Sequence, residues 1–155
     1  MKNIVLIVVF LISSLGFAQQ NKYQKFYSDF EDQDGITTIS INKAMFSLLG
    51  SIKMDNELDD LTPLLKKMNS IKMIIHDGKQ NLQLKSKLKS EFNNLNLEEL
   101  MSVNNAGNKV KFFAENSLAN VFKQLVLNIT NTDSMIFMIL DGEIKADDLN
   151  SLLKK

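Results

Sequence analysis

The sequence predicts an α+β fold, with one mostly antiparallel sheet of about six strands and helices packed on one face. Segments of strand-like apolar residues are concentrated in the second half of the chain, whereas helical patterns dominate the first half. Short turns rich in Asn, Asp and Gly separate the later segments, as they do in β-hairpins. The length of 155 residues suits a single folded domain.

Residues 1–18 have the pattern of a secretory signal peptide. Lys2 supplies a positive start, residues 4–12 form an unbroken apolar run, and small side chains precede a cleavage point after Ala18. This run is too short to cross a bilayer, which requires about 20 apolar residues. A lipoprotein signal would place a cysteine at the next position, where Gln19 stands. We expect a secreted protein, periplasmic or at the cell surface and soluble after cleavage, with one domain over residues 19–155.

The composition argues against several classes of function. The 18 basic residues balance 18 carboxylates, so no overall charge attracts nucleic acid. All the basic residues are lysines, and the bidentate phosphate recognition that arginine provides is absent. With no cysteine and one histidine, the chain lacks the usual ligands of a structural zinc site.

The first half of the chain predicts helices around one strand. Residues 22–31 place four aromatic side chains on one core-facing helical stripe: Tyr23, Phe26, Tyr27 and Phe30. The turn at Gly35 ends this helix, and residues 36–41 alternate as a strand, with Thr37, Ile39 and Ile41 on one face. Two helices are expected next, over residues 43–52 and 57–68.

The chain from residue 71 onwards predicts most of the sheet. We expect strands at 71–75, 97–103, 110–114 and 135–140, with the last ending at Asp141-Gly142, and helices at 79–93 and 145–155. The segment from Leu118 to Thr130 fits both a helix and a strand. We favour the strand, because a turn and a second apolar run follow it and complete a hairpin.

Several segments of the chain together resemble one known family of small exported proteins. They are Phe26-Tyr27, the stretch from Gly35-Ile36-Thr37-Thr38 to Lys43-Ala44-Met45, Leu100-Met101-Ser102-Val103, and Ile139-Leu140-Asp141-Gly142-Glu143-Ile144. The family is the domain of unknown function DUF4252. The resemblance spans nearly all of the chain after residue 18 and implies a source in the Bacteroidota, a periplasmic or cell-surface location and a link to envelope signalling. It implies no reaction.

Few residues are candidates for chemistry. His76 at a strand end is the only histidine, and we expect it at the surface or in a cap, since no nucleophile accompanies it. An acidic set precedes Gly35 and resembles part of a calcium loop: Asp29, Glu31, Asp32 and Asp34. Phe30 and Ile41 occupy ligand positions of the EF-hand pattern, so we interpret the set as a solvated turn.

Three further groups of residues invite a functional interpretation. A second acidic set is explained by a turn followed by a helix start: Asp141, Glu143, Asp147 and Asp148. A basic stretch suits a solvated helix face: Lys79, Lys85, Lys87 and Lys89. Ser134, after Asp133, matches a short O-glycosylation pattern of exported Bacteroidota proteins.

We therefore expect no catalytic, cofactor-binding or metal-binding residues. The favoured hypothesis is a non-catalytic interaction module that binds another envelope protein through helix faces or a free sheet edge. The alternative is a carrier that encloses a lipid or a small molecule in an apolar pocket.

Overall fold

The computed structural model describes residues 21–49, 66–77 and 81–147. The predicted signal peptide, most of the predicted helix over residues 57–68 and all but the start of the predicted terminal helix lie outside these ranges.

The described part of the chain forms three helices and six strands. In chain order they are α1 (Lys22–Ser28), β1 (Ile36–Asn42), α2 (Lys43–Leu49), β2 (Met68–Asp77), α3 (Leu82–Asn93), β3 (Glu98–Asn105), β4 (Asn108–Ala114), β5 (Val121–Thr130) and β6 (Ser134–Lys145).

All six strands belong to one antiparallel sheet in the order β1-β2-β6-β5-β4-β3. β3 to β6 follow one another as a meander, and β6 then pairs with β2, which arrives from the first half of the chain. The α+β class and the mostly antiparallel sheet are thereby confirmed. β1 and β3 form the two edges.

One face of the sheet is covered by α1 and α3. The aromatic stripe of α1 and its following turn is buried as predicted, and Phe26 meets Phe137 of β6 edge-to-face at 5.6 Å between ring centres. Leu88 and Phe92 of α3 pack into the same cluster. We call this side of the sheet the covered face.

The helix α2 departs from the expected arrangement, in which all helices pack on one face of the sheet. α2 follows β1 without a loop and turns towards the opposite side, where Phe46 packs into a second cluster with Leu125 and Ile144. Asn42 starts this helix, because its side chain accepts a hydrogen bond from the Met45 amide at 3.3 Å. α2 therefore covers only one end of the opposite face.

The prediction that Asp141-Gly142 ends the last strand is wrong, since β6 continues to Lys145. Gly142 lies against the chain just before β2, where a Cβ atom would be 2.5 Å from the Lys67 carbonyl oxygen. Gly142 is therefore required for the close packing of two backbones. An Asp-Gly pair in a sequence is compatible with such a contact as well as with a turn. The Glu143 amide donates to the same carbonyl at 3.1 Å.

Other element boundaries shift by a few residues. The ambiguous segment is confirmed as a strand, although β5 begins only at Val121. Met68, predicted as the end of a helix, instead starts β2. α1 ends at Ser28, three residues before the predicted end.

Candidate interaction surface

The side of the sheet opposite the covered face carries two apolar rows that run across the strands. In the first row, successive strand neighbours are Ile39, Met73, Met138, Leu127, Phe112 and Met101. In the second row they are Thr37, Ile75, Ile136, Ile129, Val110 and Val103. We call these twelve residues the open face. Six strands at a spacing of 4.7–4.9 Å make it roughly 24 Å wide.

The open face is far more accessible than the covered face. All twelve of its residues are half-buried or exposed, and Ile39 and Val103 at its two edges are 39% and 42% exposed. On the covered face, by contrast, Ile74, Val126 and Phe137 are at most 1% exposed. One sheet thus presents apolar side chains on both sides, and the helices of the described ranges bury mainly one of them.

Polar residues border the open face on one side and α2 borders it on the other. Asp77 and Ser134 are neighbours at the end of β2 and β6, and Asn105 and Asn108 are neighbours at the turn between β3 and β4. Asn131 joins this border by accepting a hydrogen bond from the Ser134 amide at 2.6 Å. Apolar patches with a polar rim are typical of interaction sites on protein surfaces.

His76 lies in the interior, so the expectation of a surface or cap residue is wrong. Its side chain is 1% exposed on the covered face, with Ile36 and Met135 as its strand neighbours. Its Nδ1 atom has no hydrogen-bond partner among the described residues. The cause is the extension of β2 to Asp77, which places residue 76 within a three-stranded ladder instead of at its end.

The acidic set before Gly35 forms the turn that the sequence predicts. The Asp29 carboxylate is paired with Lys25 at 2.6 Å, and the Gln33 side chain donates to the Asp29 carbonyl at 2.7 Å. Asp32 and Gly35 adopt positive φ angles of 63° and 85°. Within the described ranges, no three His, Cys, Asp or Glu side chains are grouped closely enough to hold a metal ion.

The second acidic set does not begin in a turn, because Asp141 and Glu143 lie within β6. Asp141 accepts hydrogen bonds from Asn69 at 3.0 Å and from Gln124 at 3.1 Å, whereas Asp148 lies outside the described ranges. Asp141, Asn69 and Gln124 line an open cleft of about 300 Å³ together with Lys123 and Glu143. The amides occupy both carboxylate oxygens, so this arrangement connects three strands.

The remaining candidates lie away from the open face or at its border. Lys87 lies over the Phe30 ring, 5.4 Å from its centre, on the side of the covered face, and Lys79 is outside the described ranges. The hydroxyl of Ser134 donates to the Asn131 side chain at 3.0 Å.

The comparison with protein families is decisive for classification. The family model described as "Domain of unknown function (DUF4252)" matches residues 27–152, most of the chain. The chain belongs to the DUF4252 family. No curated protein and no solved structure is significantly similar to it.

The match of this DUF4252 protein to its family includes all six strands and therefore the whole open face. Among the helices of the described ranges, none is long and apolar enough to cross a membrane.

One feature of the sequence indicates the open face, although we did not predict this face from it. Residues 135–140 of the DUF4252 protein are continuously apolar. Such a run indicates a strand with apolar side chains on both faces, whereas a strand with one solvated face alternates. The cross-strand rows themselves depend on register, which no single segment specifies.

Proposed function

We propose that this DUF4252 protein is an exported, non-catalytic interaction module of the cell envelope that binds a protein partner on its open face. The observation that carries this proposal is the pair of cross-strand rows, which leaves twelve mostly apolar side chains accessible on one side of the sheet. Removing apolar surface from water favours association with a partner that covers it.

The chemistry of the open face favours a protein partner. Isoleucine, valine and methionine make up most of it, and methionine adapts its shape to a partner surface. A pleated sheet face accepts a second sheet at about 10 Å or an amphipathic helix. The polar rim supplies hydrogen-bonding groups at the border, as interface rims do.

The placement of the titratable groups supports a role without catalysis. His76 is buried among apolar residues. The Asp29 carboxylate is paired with Lys25, and the Asp141 carboxylate accepts hydrogen bonds from two amide side chains. Export is supported by the pattern of residues 1–18. Intact protein from the envelope should begin at Gln19, and cytosolic protein that retains Met1 would contradict export.

The carrier alternative requires an enclosed apolar cavity. The clefts beside Lys123 and Gln124 have volumes of about 300 and 310 Å³, are open to solvent and have charged side chains in their walls. The open face therefore supports a protein partner better than these clefts support a bound lipid.

Crosslinking in the native envelope tests the proposal. A photoreactive amino acid replaces Met138 at the centre of the open face, and the control carries it at Ser86, an exposed position on α3. We expect a discrete protein adduct from position 138 that position 86 does not give. No adduct at 138, or the same adduct at both positions, would contradict the proposal. Lipid that copurifies in native mass spectrometry would favour the carrier instead.

A further inference from the structure

The two edges of the sheet differ in how well they are protected. β3 carries Glu98 and Glu99, and its ladder with β4 shifts register between Glu99 and Met101. Charged side chains and bulges of this kind discourage a further strand from pairing. β1 has neither: its sequence Ile-Thr-Thr-Ile-Ser-Ile-Asn contains no charge and no proline, and its register with β2 is continuous over all seven residues.

The backbone of β1 presents hydrogen-bonding groups away from β2. In an antiparallel ladder, the N–H and C=O groups of alternate residues point to opposite sides of the strand. The Ile36 amide donates to the Gln33 carbonyl at 3.0 Å, within the preceding turn. The alternation then places the backbone groups of Thr38 and Ser40 on the outer side of the edge.

We infer that two copies of this chain pair through β1 in an antiparallel manner, around a two-fold axis at Ile39. This deepens the proposed function and rests on it, since Ile39 belongs to the open face. The assembly joins two six-stranded sheets into one of twelve strands. The open faces of both copies lie on the same side of that sheet.

The sequence of β1 is complementary to itself in this register. Ile39 faces its own copy, Thr37 faces Ile41, Thr38 faces Ser40, and Ile36 faces Asn42 at each end. The Ile36 amide keeps its bond to Gln33, so the ladder hydrogen bonds come from Thr38 and Ser40. Odd-numbered residues of one copy face odd-numbered residues of the other, so the side chains of the two open faces lie on the same side of the joined sheet. Pairing centred on Thr38 or Ser40 keeps the faces but uses only five residues.

Charge at the ends of β1 favours the same arrangement. The acidic turn with Glu31, Asp32 and Asp34 precedes the strand, and Lys43 follows it. Antiparallel pairing about Ile39 brings the start of α2, where Lys43 lies, towards the acidic turn of the other copy. The two-fold axis makes the attraction occur twice, and no like charges face each other within the paired strands.

Single cysteines test the pairing directly, because the protein has none of its own. Ile39→Cys places two thiols at a pair without mutual hydrogen bonds, where Cα atoms are about 4.5 Å apart and a disulfide fits. Val103→Cys is the matched control, at a similarly exposed position on the opposite edge. After mild oxidation of protein purified from full-length expression, we expect a disulfide-linked dimer for Ile39→Cys only. Equal dimer yields, or none, would overturn the inference.

A charge at the axis provides the second measurement. Ile39→Lys sets two lysines opposite each other, and Val103→Lys serves as control. In analytical ultracentrifugation we expect a dimer for the unchanged protein and for Val103→Lys, and at least about tenfold weaker association for Ile39→Lys with unchanged circular dichroism. A monomeric unchanged protein would overturn the inference.

The two proposals fail separately. An envelope adduct from position 138 that persists in the Ile39→Lys variant, together with an unchanged protein that is monomeric, refutes the self-pairing and leaves the interaction module intact. A stable dimer without any adduct from position 138 refutes binding at the open face and leaves the self-pairing intact.

Discussion

Tyr23 links the buried aromatic cluster to an ion pair at the surface. Its ring is 3% exposed, and its hydroxyl has no hydrogen-bond partner of normal geometry among the described residues. Nearby, Lys22 pairs with Glu115 at 2.9 Å and donates to the Leu95 carbonyl at 2.9 Å. Burial, and to a smaller extent the Glu115 carboxylate, raise the pKa of Tyr23 well above its usual range.

This pKa shift predicts a loss of stability in alkali. Above about pH 10 the tyrosine of the unfolded chain releases its proton while the folded protein retains it, so rising pH favours unfolding. Tyr23→Phe should weaken this pH dependence and change stability at pH 7 by no more than about 1 kcal/mol, since the lost hydroxyl makes no hydrogen bond of normal geometry to the described residues. Urea unfolding from neutral to alkaline pH measures both effects.

The matched control is Tyr27→Phe, another buried tyrosine of α1. It keeps Tyr23 and should lose stability over the same pH range as the unchanged protein. Equal alkaline slopes for Tyr23→Phe and the unchanged protein would contradict the assignment.

Individual residues also show what the sequence could and could not predict. The aromatic stripe of α1 was predictable, because spacing within one helix determines which side chains share a face. The burial of His76 was not predictable, because β1 and β6 enclose it from distant parts of the chain. Because Asp77 and Gly78 follow it in the sequence, His76 was expected at the end of a strand.

At the scale of elements, Gly142 holds β6 against the start of β2. Gly142→Ala would bring a Cβ atom to 2.5 Å from the Lys67 carbonyl oxygen, and this neighbour is backbone that cannot rotate away. We expect a loss of about 1–3 kcal/mol in the free energy of unfolding. Hydrogen exchange at the Glu143 amide, which bonds to the same oxygen, should become faster.

Gly107 provides the comparison for a different mechanism. It has φ +88° and no atom within 4 Å of an added Cβ, so Gly107→Ala introduces backbone strain alone, about 1 kcal/mol. Glu143 exchange should not change in this variant. If Gly142→Ala were as stable as the unchanged protein, the close approach of the two backbones would be refuted.

The start of α3 depends on Asn81, whose side chain accepts a hydrogen bond from the Leu84 amide at 3.0 Å. Asn81→Ala removes this cap and should lower the free energy of unfolding by about 1 kcal/mol. Asn81→Ser supplies another good capping side chain and should recover most of the loss. Equal stability of the alanine and serine variants in thermal unfolding would show that the cap contributes nothing.

At the scale of the whole molecule, local sequence patterns were sufficient to predict the fold class but not the order of the strands in the sheet or which face stays accessible. The hairpins β3–β4 and β5–β6 join neighbours in sequence, and alternation with turn residues predicts them. The pairing of β2 with β6 connects strands nearly 60 residues apart, and it sets the two rows of the open face in register. The sequence analysis expected binding through helix faces or a free sheet edge, and it did not locate the open face because that face depends on this long-range register.

The methionines of this DUF4252 protein offer the most direct test of its central claim, that the open face is accessible in the isolated protein and covered by a protein partner. Met73, Met101 and Met138 lie on the open face, while Met68 and Met135 are buried. With methyl-labelled methionines and a soluble paramagnetic agent, NMR should show fast relaxation for the first three in the isolated protein. Their relaxation should slow to the level of Met68 and Met135 once the complex with the crosslinked partner is formed. Slow relaxation of the first three methyls in the isolated protein, or no change in the complex, would contradict the account.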